Sequence, residues 1–290
     1  MEKKINIKYT QNFVQSSNLI RFLINKFSNI SKDDLIVEVG SGRGAITLEL
    51  SKRAKQVITY ELDSDIYITL NDKIKKDNIT NIQLKNEDFL LSKLNILPSF
   101  KVFSNIPFYL SADIIRKLLL ENNKLTSGCI FLENEAAMRF IGQPYRKESL
   151  LSLVLKLNWN IKIVYNFNRT DFFPAPNADV VLISITKKEN NSINRSNFQD
   201  LLAYLFNQRK ANIKQTLLSL FSFTQTKVIK NSLKLNWEQS ARDLNIKQWQ
   251  DIFIIATQHL SKEKWLTIKG SYQLLNNNKV KQTKGKGLIY

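Results

Sequence analysis

The feature that most constrains the fold is an alternation of short apolar runs with helix-patterned stretches along the first part of the chain. Continuous apolar runs bounded by turn residues are typical of parallel strands that are buried on both faces. Such runs occupy residues 35–39, 57–62, 82–84, 102–103 and 129–132. Stretches with helical spacing lie among them, at residues 45–53, 65–76 and 112–120. Strands that alternate with helices predict an α/β fold of the doubly wound type.

The chain between residues 150 and 186 predicts how this sheet ends. Residues 150–157 have helical spacing, whereas residues 161–167 and 180–186 have the character of strands. The intervening loop, residues 169–179, is rich in turn residues and short enough to join an antiparallel pair. We therefore expect a Rossmann-like, seven-stranded sheet whose last two strands pair antiparallel at the edge.

The composition changes after this sheet, which predicts a second domain. A polar segment dominated by Lys, Asn and Ser, typical of a linker, covers residues 187–197. Helical spacing without intervening strands then predicts a small C-terminal all-helical domain, from residues 198–206, 213–221 and 249–259. The predicted boundaries are 1–189 for the α/β domain, 190–278 for the helical domain and 279–290 for a basic, disordered tail.

A glycine-rich turn follows the first strand of the predicted sheet. Residues 38–44 are Glu-Val-Gly-Ser-Gly-Arg-Gly, and a helix-patterned stretch begins directly after them. Glycines let the backbone approach a ligand closely, and the N-terminus of a helix offers unpaired amides. Similar turns bind dinucleotides or only pack against the sheet, so the turn alone leaves its ligand open. Its G-x-G-x-G spacing and its lack of a P-loop Lys disfavour hydride transfer and phosphoryl transfer.

Acidic residues stand at the ends of the next two strands. Glu61 follows the second strand, at the distance where a ribose-binding acid is expected. Asp88 follows the third strand and could accept a hydrogen bond from the amino group of a bound adenine, although it could equally cap a turn. Ligands of open α/β sheets bind at the carboxyl ends of the strands, so the Gly turn and both acids predict one nucleoside site there.

The tetrapeptide Asn105-Ile106-Pro107-Phe108 follows the fourth strand. The exocyclic amine of adenine is a poor nucleophile because it is conjugated with the ring. The Asn105 side-chain oxygen and the Ile106 carbonyl could accept its two hydrogens and favour the reactive, pyramidal geometry. Pro107 would fix the backbone direction, and Phe108 would offer a ring on which an extruded base stacks. The alternative is a purely structural role for the tetrapeptide, as an Asn-Pro turn beside a Phe of the core.

Together these residues resemble the ribosomal RNA adenine dimethyltransferase family, and within it the Erm enzymes, which methylate 23S rRNA and confer resistance to macrolides, lincosamides and streptogramin B. The resemblance covers about residues 8–188 and includes residues 9–14, Tyr-Thr-Gln-Asn-Phe-Val, similar to an element that closes over the cofactor. It implies a class I methyltransferase sheet, an RNA-binding helical domain and S-adenosylmethionine (SAM) as the cofactor. The residues that it places around SAM are Gln11, Asn12, Val14, Gly40, Gly42, Glu61, Asp88 and Asn105.

A second stacking residue is also implied by the resemblance. Residues 172–176, Phe-Phe-Pro-Ala-Pro, are similar to the family's F-x-P-x-P loop. This similarity implies that Phe172 sandwiches the target base against Phe108. The chain departs from the family pattern at Phe108, where Tyr is commoner, and at Val14, where Leu is usual. Phe108 has no hydroxyl, so any hydrogen bond that the Tyr hydroxyl makes in the family is lost here.

Several alternatives remain open within and beyond the family. A sister branch dimethylates two adjacent adenines in 16S rRNA. Ser41 and Ile106 favour the Erm branch, whereas residues 206–210, Phe-Asn-Gln-Arg-Lys, resemble an element of the sister branch. We expect 23S rRNA as the substrate, with 16S rRNA as the alternative. A non-catalytic RNA-binding module is disfavoured by the intact motifs, and a DNA adenine methylase usually has Asp-Pro-Pro-Tyr and a separate recognition domain.

The charge balance agrees with a nucleic-acid partner. Lys and Arg number 43 against 25 Asp and Glu, a formal net charge of +18, which makes a polyanion the first partner to consider. The candidate phosphate contacts are Arg116, Lys117, Arg139, Arg195, Arg209, Lys210, Lys214 and the lysines of the tail. A single-stranded or bulged adenine is the expected target, because its extrusion costs less than opening a pair.

Composition also excludes some classes of protein. One His and one Cys cannot supply a zinc ligand set, so no metal is expected, and Cys129 is expected to be a buried thiol without a function. No apolar run approaches the roughly 20 residues that span a bilayer, so no membrane association is expected. The start of the chain is polar and basic, unlike a secretory signal. We expect a cytoplasmic monomer.

Overall fold

The computed structural model describes residues 12–121, 124–189 and 193–275. Gln11 and the tail predicted at 279–290 lie outside these residues. The chain divides into two compact units. Among the described residues, the first comprises those up to Met138 together with Trp159–Lys188, and the second comprises Arg139–Asn158 and those from Glu189 onwards.

The first unit is built on a mixed sheet that has seven strands within the described residues, in the order β4-β3-β2-β5-β6-β9-β7. The strands are β2 (Leu35–Val39), β3 (Gln56–Tyr60), β4 (Ile82–Lys85), β5 (Phe100–Asn105), β6 (Leu125–Glu133), β7 (Trp159–Asn166) and β9 (Val180–Lys187). Strands β2 to β6 pair in parallel, and β9 pairs antiparallel with both β6 and β7. The predicted Rossmann-like sheet with an antiparallel edge is confirmed.

Burial and capping explain why these segments adopt their structures. All five residues of β2 are buried, as expected for a strand that is covered on both faces. Asp63 begins a helix by accepting hydrogen bonds from the backbone amides of Asp65 and Ile66. The helices that connect the strands are α1 (Ser17–Leu23), α2 (Ala45–Ser51), α3 (Ser64–Lys76), α4 (Ser111–Leu119) and α5 (Asn134–Ile141).

The strand order reverses beside β2. From β2 the chain adds β3 and β4 on one side and then crosses back to place β5 on the other side. The connections that follow β2 and β5 therefore leave in opposite directions and open a crevice at the carboxyl ends of these strands. Ligands of open α/β sheets bind at such a switch point.

A second, two-stranded sheet lies near the N-terminus of the described chain. Its strands β1 (Phe13–Val14) and β8 (Phe172–Phe173) pair antiparallel, with Phe13 opposite Phe173 and Val14 opposite Phe172. The backbone amide of Gln15 donates to the Asp171 carbonyl (2.9 Å), which extends the pairing. We call this β1–β8 sheet the aromatic ribbon.

The second unit is helical in its described residues. Its helices are α6 (Leu150–Asn158), α7 (Arg195–Asn207), α8 (Ile213–Leu218), α9 (Phe223–Leu233), α10 (Ile246–His259) and α11 (Lys262–Ile268). Large buried side chains such as Phe198, Phe253 and Trp249 form its core. The linker predicted at 187–197 is shorter than expected, because β9 continues to Lys187 and α7 begins at Arg195.

Helix α6 clusters with this unit, which differs from the predicted boundary at residue 189. Five of its nine residues are buried, and they are Ser152, Leu153, Val154, Leu155 and Leu157. This apolar helix packs on α7 and α10. A single boundary along the chain cannot describe this division, because α6 belongs to the helical unit and β7, which follows it, belongs to the first unit.

Candidate active site

A pocket of about 410 Å³ lies at the carboxyl ends of β2 and β5, at the switch point of the sheet. Its volume is in the range of small-molecule sites. Its walls come from the aromatic ribbon, the Gly-rich turn and the segment after β5. The lining residues are Asn12, Phe13, Val14, Gln15, Glu38, Gly40, Ser41, Gly42, Arg43, Ala45, Ile46, Asn105, Ile106, Pro107, Phe108 and Phe173.

The Gly-rich turn is shaped by two glycines that no other residue replaces without strain. Gly40 and Gly42 have φ of +78° and +51°, in the left-handed region. A Cβ on Gly42 would lie 2.6 Å from Cε1 of Phe13. The missing side chain at Gly42 therefore lets the aromatic ribbon pack directly on the turn.

Glu61 is tied to this turn by its carboxylate. Its Oε2 accepts the backbone amide of Gly42 at 2.9 Å, and its Oε1 accepts the amide of Asp63 at 3.0 Å. The side chain is buried, and Glu61 is not among the residues that line the pocket. Glu61 therefore stabilises the turn through these hydrogen bonds, and its predicted contact with a ribose stays a prediction.

Asp88 lies at the end of β4 and caps a turn. Its Oδ1 accepts the backbone amide of Leu90 at 2.8 Å, at the start of a short 3₁₀ helix (Phe89–Leu91). This geometry matches the alternative role of a cap. Asp88 is not in the pocket lining, and its predicted contact with a cofactor adenine stays a prediction.

Asn105 connects the sheet to the N-terminal segment. Its Nδ2 donates to the carbonyl of Asn12 at 2.7 Å. Because this bond fixes the amide plane, Oδ1 is left as an acceptor at the pocket wall. Ile106 is buried, and Pro107 Cδ lies 3.7 Å from the position of a Cβ on Gly40. The tetrapeptide and the Gly-rich turn thus form one continuous wall.

The two Phe residues of β8 have opposite environments, and this corrects the role given to Phe172. Phe172 is 1% exposed, belongs to the hydrophobic core and packs edge-on against Phe167 at 5.2 Å between ring centroids. Phe173 is 67% exposed and lines the pocket with Phe108. Neighbouring side chains of a strand point to opposite faces, so only Phe173 offers its ring to a ligand.

Glu38 is a pocket residue that the sequence reasoning did not single out. It is 1% exposed; its Oε2 accepts the hydroxyl of Thr47 at 2.6 Å, and its Oε1 has no hydrogen-bond partner in the described part of the chain. Burial raises the pKa of the Glu38 carboxyl to about 7, although the Thr47 bond lowers it. The sequence feature that could have identified Glu38 is an acidic residue inside the apolar run of β2.

Two basic side chains of this unit, Arg43 and Lys117, contact other groups of the protein. Arg43, which also lines the pocket, stands with its guanidinium 5.6 Å from the Phe13 ring centroid. Lys117 was predicted to contact phosphates, but its Nζ donates to the carbonyls of Leu90 (2.8 Å) and Ser92 (2.6 Å). Lys117 therefore stabilises the loop after β4, and its predicted phosphate contact stays a prediction.

Two properties of the described residues bear on the class of site. Within residues 12–121, 124–189 and 193–275, no cluster of three or more His, Cys, Asp or Glu could hold a metal ion. No helix in those ranges is both long and apolar enough to cross a bilayer. The pocket combines the Gly-rich turn, a buried acid, the Asn105 amide and aromatic rings, a set suited to a nucleoside-containing ligand.

Comparisons with known proteins give this geometry a context. A family model described as ribosomal RNA adenine dimethylase matches residues 2–258. A ribosomal RNA small subunit methyltransferase A of Mycoplasma mobile is 29% identical over 84% of this chain and 94% of its own length. An rRNA adenine N-6-methyltransferase of Bacillus licheniformis is 30% identical over 91% of this chain and 93% of its own. The crystal structure of 23S rRNA methyltransferase ErmE superposes with a TM-score of 0.77 at 21% identity, over 85% of this chain and all of that one.

Proposed function

The chain belongs to the ribosomal RNA adenine dimethylase family, and from that premise we propose that it dimethylates N6 of one adenine in 23S rRNA. SAM-dependent methylation of adenine in rRNA is the activity of the family. The proposal concerns which rRNA is methylated and which residues do it. We further propose that the enzyme acts in the cytoplasm and that its product confers resistance to macrolides, lincosamides and streptogramin B.

The choice of 23S rRNA is supported by two residues of the pocket. Ser41 and Ile106, which favour the Erm branch in sequence, both line the pocket. The 16S alternative is favoured by the Mycoplasma mobile relative and by residues 206–210.

The residues of the pocket fit SAM. The Gly-rich turn forms one wall, and the orphaned Oε1 of buried Glu38 can accept a hydrogen bond from a polar group of the ligand. The proposed contacts are Asn12, Val14, Gly40, Gly42 and Asn105 in the pocket, with Glu61 and Asp88 at the adjoining strand ends. Bound there, SAM supplies an electrophilic methyl group on a positively charged sulfur.

The side chains after β5 and in β8 act on the target adenine. Asn105 Oδ1 and the Ile106 carbonyl accept the two amino hydrogens, which increases the electron density on N6 as it becomes pyramidal. Phe108 and Phe173 would stack on the base and orient its N6 for methyl transfer. After transfer, the surplus proton leaves to water, so the chain needs no general base.

The experiment expresses the chain in a macrolide-susceptible bacterium and maps methylated adenines in both rRNAs by primer-extension stops. The proposal predicts one stop in the peptidyl-transferase loop of 23S rRNA, with resistance to erythromycin and clindamycin. The matched control is an Asn105→Ala variant expressed at the same level. Paired stops near the 3′ end of 16S rRNA would instead support the alternative, and no stop in either rRNA would refute both.

A further inference from the structure

The helical unit carries a local excess of positive charge that the proposed chemistry does not use. Residues 201–237 contain six Lys or Arg and no Asp or Glu. Acidic residues occupy 25 of the 290 positions in the chain, so a stretch of this length without one departs from the average composition. A segment of one sign of charge attracts a polyanion.

Two lysines of this segment lie on one side of α9 together with an exposed aromatic ring. Phe223, Lys227 and Lys230 are spaced i, i+4 and i+7, which places them on one face of the helix. Phe223 is 54% exposed, while Thr226 and Ile229 turn into the core. This face presents its charges to solvent over about 10 Å of helix length.

Aromatic rings hold these lysines in place. Lys227 Nζ lies 4.7 Å from the centroid of the Phe223 ring. Lys230 of α9 and Lys214 of α8 lie 5.4 Å and 6.0 Å from the centroid of Trp237. We call Lys214, Phe223, Lys227, Lys230 and Trp237 the lysine–aromatic surface.

The turn that carries Trp237 is itself anchored. The backbone amide of Ile213 donates to the carbonyl of Gln239 at 2.8 Å. The side chain of Asn236 accepts the amide of Glu238 at 3.1 Å. The half-buried Trp237 ring is therefore fixed to the start of α8, so it can orient lysines from two helices.

Two lysines elsewhere in the chain are held by carboxylates, which cancel their charge. Lys101 pairs with Asp34 at 2.8 Å, and Lys52 pairs with Glu49 at 2.6 Å. No carboxylate among the described residues forms an ion pair with a lysine of the lysine–aromatic surface, and the adjacent Glu238 is contacted by the Asn212 amide at 3.4 Å. An aromatic ring orients an ammonium group and leaves its charge and donors available to an anion.

We propose that the lysine–aromatic surface binds the phosphate backbone of the RNA substrate, with Phe223 and Trp237 positioning lysines that contact phosphates without reading sequence. This inference rests on the proposed function in that the RNA is taken to be the methylation substrate. The surface lies in the helical unit, whereas the pocket lies in the first unit, so binding and chemistry can be altered separately.

The test measures the dissociation constant of the full chain for a transcript of the peptidyl-transferase region of 23S rRNA over a range of salt concentrations. The double variant Lys227→Gln/Lys230→Gln is expected to bind about tenfold more weakly and to lower the slope of log K against log salt by about 1–2. The control, Lys247→Gln/Lys262→Gln, removes the same charge from exposed positions of α10 and α11 and is expected to change affinity by about twofold at most.

Trp237 gives a second test in which no charge changes. Trp237→Leu is expected to weaken binding about fivefold, because Lys214 and Lys230 lose the ring that orients them. Trp237→Phe keeps an aromatic ring and is expected to bind like the wild type. Circular dichroism melts of each variant show whether the fold is kept. Equal effects of the two double variants, or unchanged binding by both the Lys227→Gln/Lys230→Gln and Trp237→Leu proteins, would overturn the proposal.

Two further measurements separate this proposal from binding of an acidic protein and from the proposed methylation itself. Polyuridylate is expected to compete for the surface much better than polyglutamate; equal competition would overturn it in favour of an acidic protein partner. In methyl-transfer assays, the Lys227→Gln/Lys230→Gln protein is expected to keep the wild-type kcat and to raise KM for RNA by the same factor as Kd. A wild-type chain that binds RNA through this surface but methylates no rRNA would refute the proposed function alone.

Discussion

The Gly-rich turn and the aromatic ribbon line the same pocket and pack on each other, yet they are specified in different ways. The turn is local: its shape follows from glycines at fixed spacing and from Glu61, whose carboxylate binds the Gly42 amide. The ribbon is non-local, because β1 and β8 are separated by more than 150 residues and their register decides which Phe faces the pocket. Local walls can be predicted from short motifs, whereas the faces of a long-range pair cannot.

The largest expected effect tests the register of the ribbon. Phe172→Ala removes a ring from the core and is expected to destabilise the first unit by about 3–5 kcal/mol. Phe173→Ala, its matched neighbour, is expected to leave stability nearly unchanged and to reduce methyl transfer by weakening stacking on the base. Thermal unfolding and single-turnover assays of both variants give the comparison. The reverse pattern would show that Phe172 is the stacking residue.

The next effect concerns Asn105, which joins the sheet to the ribbon's end. Asn105→Ala is expected to lower kcat about 10²–10³-fold, since it removes an acceptor that acts in the transition state. SAM binding should fall much less, as measured by calorimetry. Asn160→Ala removes an exposed amide from β7 and serves as the control. Turnover like that of the wild type in the Asn105 variant would contradict the role.

The next prediction concerns Glu38, whose raised pKa makes the stability of the first unit depend on pH. Its folded pKa of about 7 lies above the ordinary value of 4.5, so the folded state keeps a proton that the unfolded state has lost. Stability therefore falls as pH rises from about 4.5 through 7, by on the order of 3 kcal/mol. Glu38→Gln should unfold at a higher temperature than the wild type at pH 8.5, and the two should converge towards pH 4.5. A difference that does not depend on pH would refute this account.

The smallest effect probes the contact between the two walls. Gly42→Ala introduces both backbone strain and a clash with Phe13, whereas Gly270→Ala, at φ +82°, meets no atom within 4 Å. Each substitution is expected to cost about 1–2 kcal/mol in backbone strain. Only Gly42→Ala should also displace the ribbon and weaken SAM binding, and equal SAM affinity in the two variants would show that the walls do not depend on each other.

These contrasts explain what the sequence could predict. The parallel sheet, its antiparallel edge and the helical second unit followed from apolar periodicity. The pocket is lined by Asn12, Val14, Gly40, Gly42 and Asn105, which the family resemblance placed around a cofactor, and their contact with it stays a prediction. The environment of Phe172 depends on its pairing with Val14, which no local pattern contains. The raised pKa of Glu38 depends on burial, and the membership of α6 in the helical unit depends on packing against distant helices.

The most direct test of the central claim supplies purified chain with SAM carrying a labelled methyl group and with full-length 23S or 16S transcripts in separate reactions. The account predicts that label enters the 23S transcript to a limit of two methyl groups per molecule, at one adenine, and that the 16S transcript stays unlabelled. Label confined to the 16S transcript, approaching four methyl groups on two adjacent adenines, would contradict it.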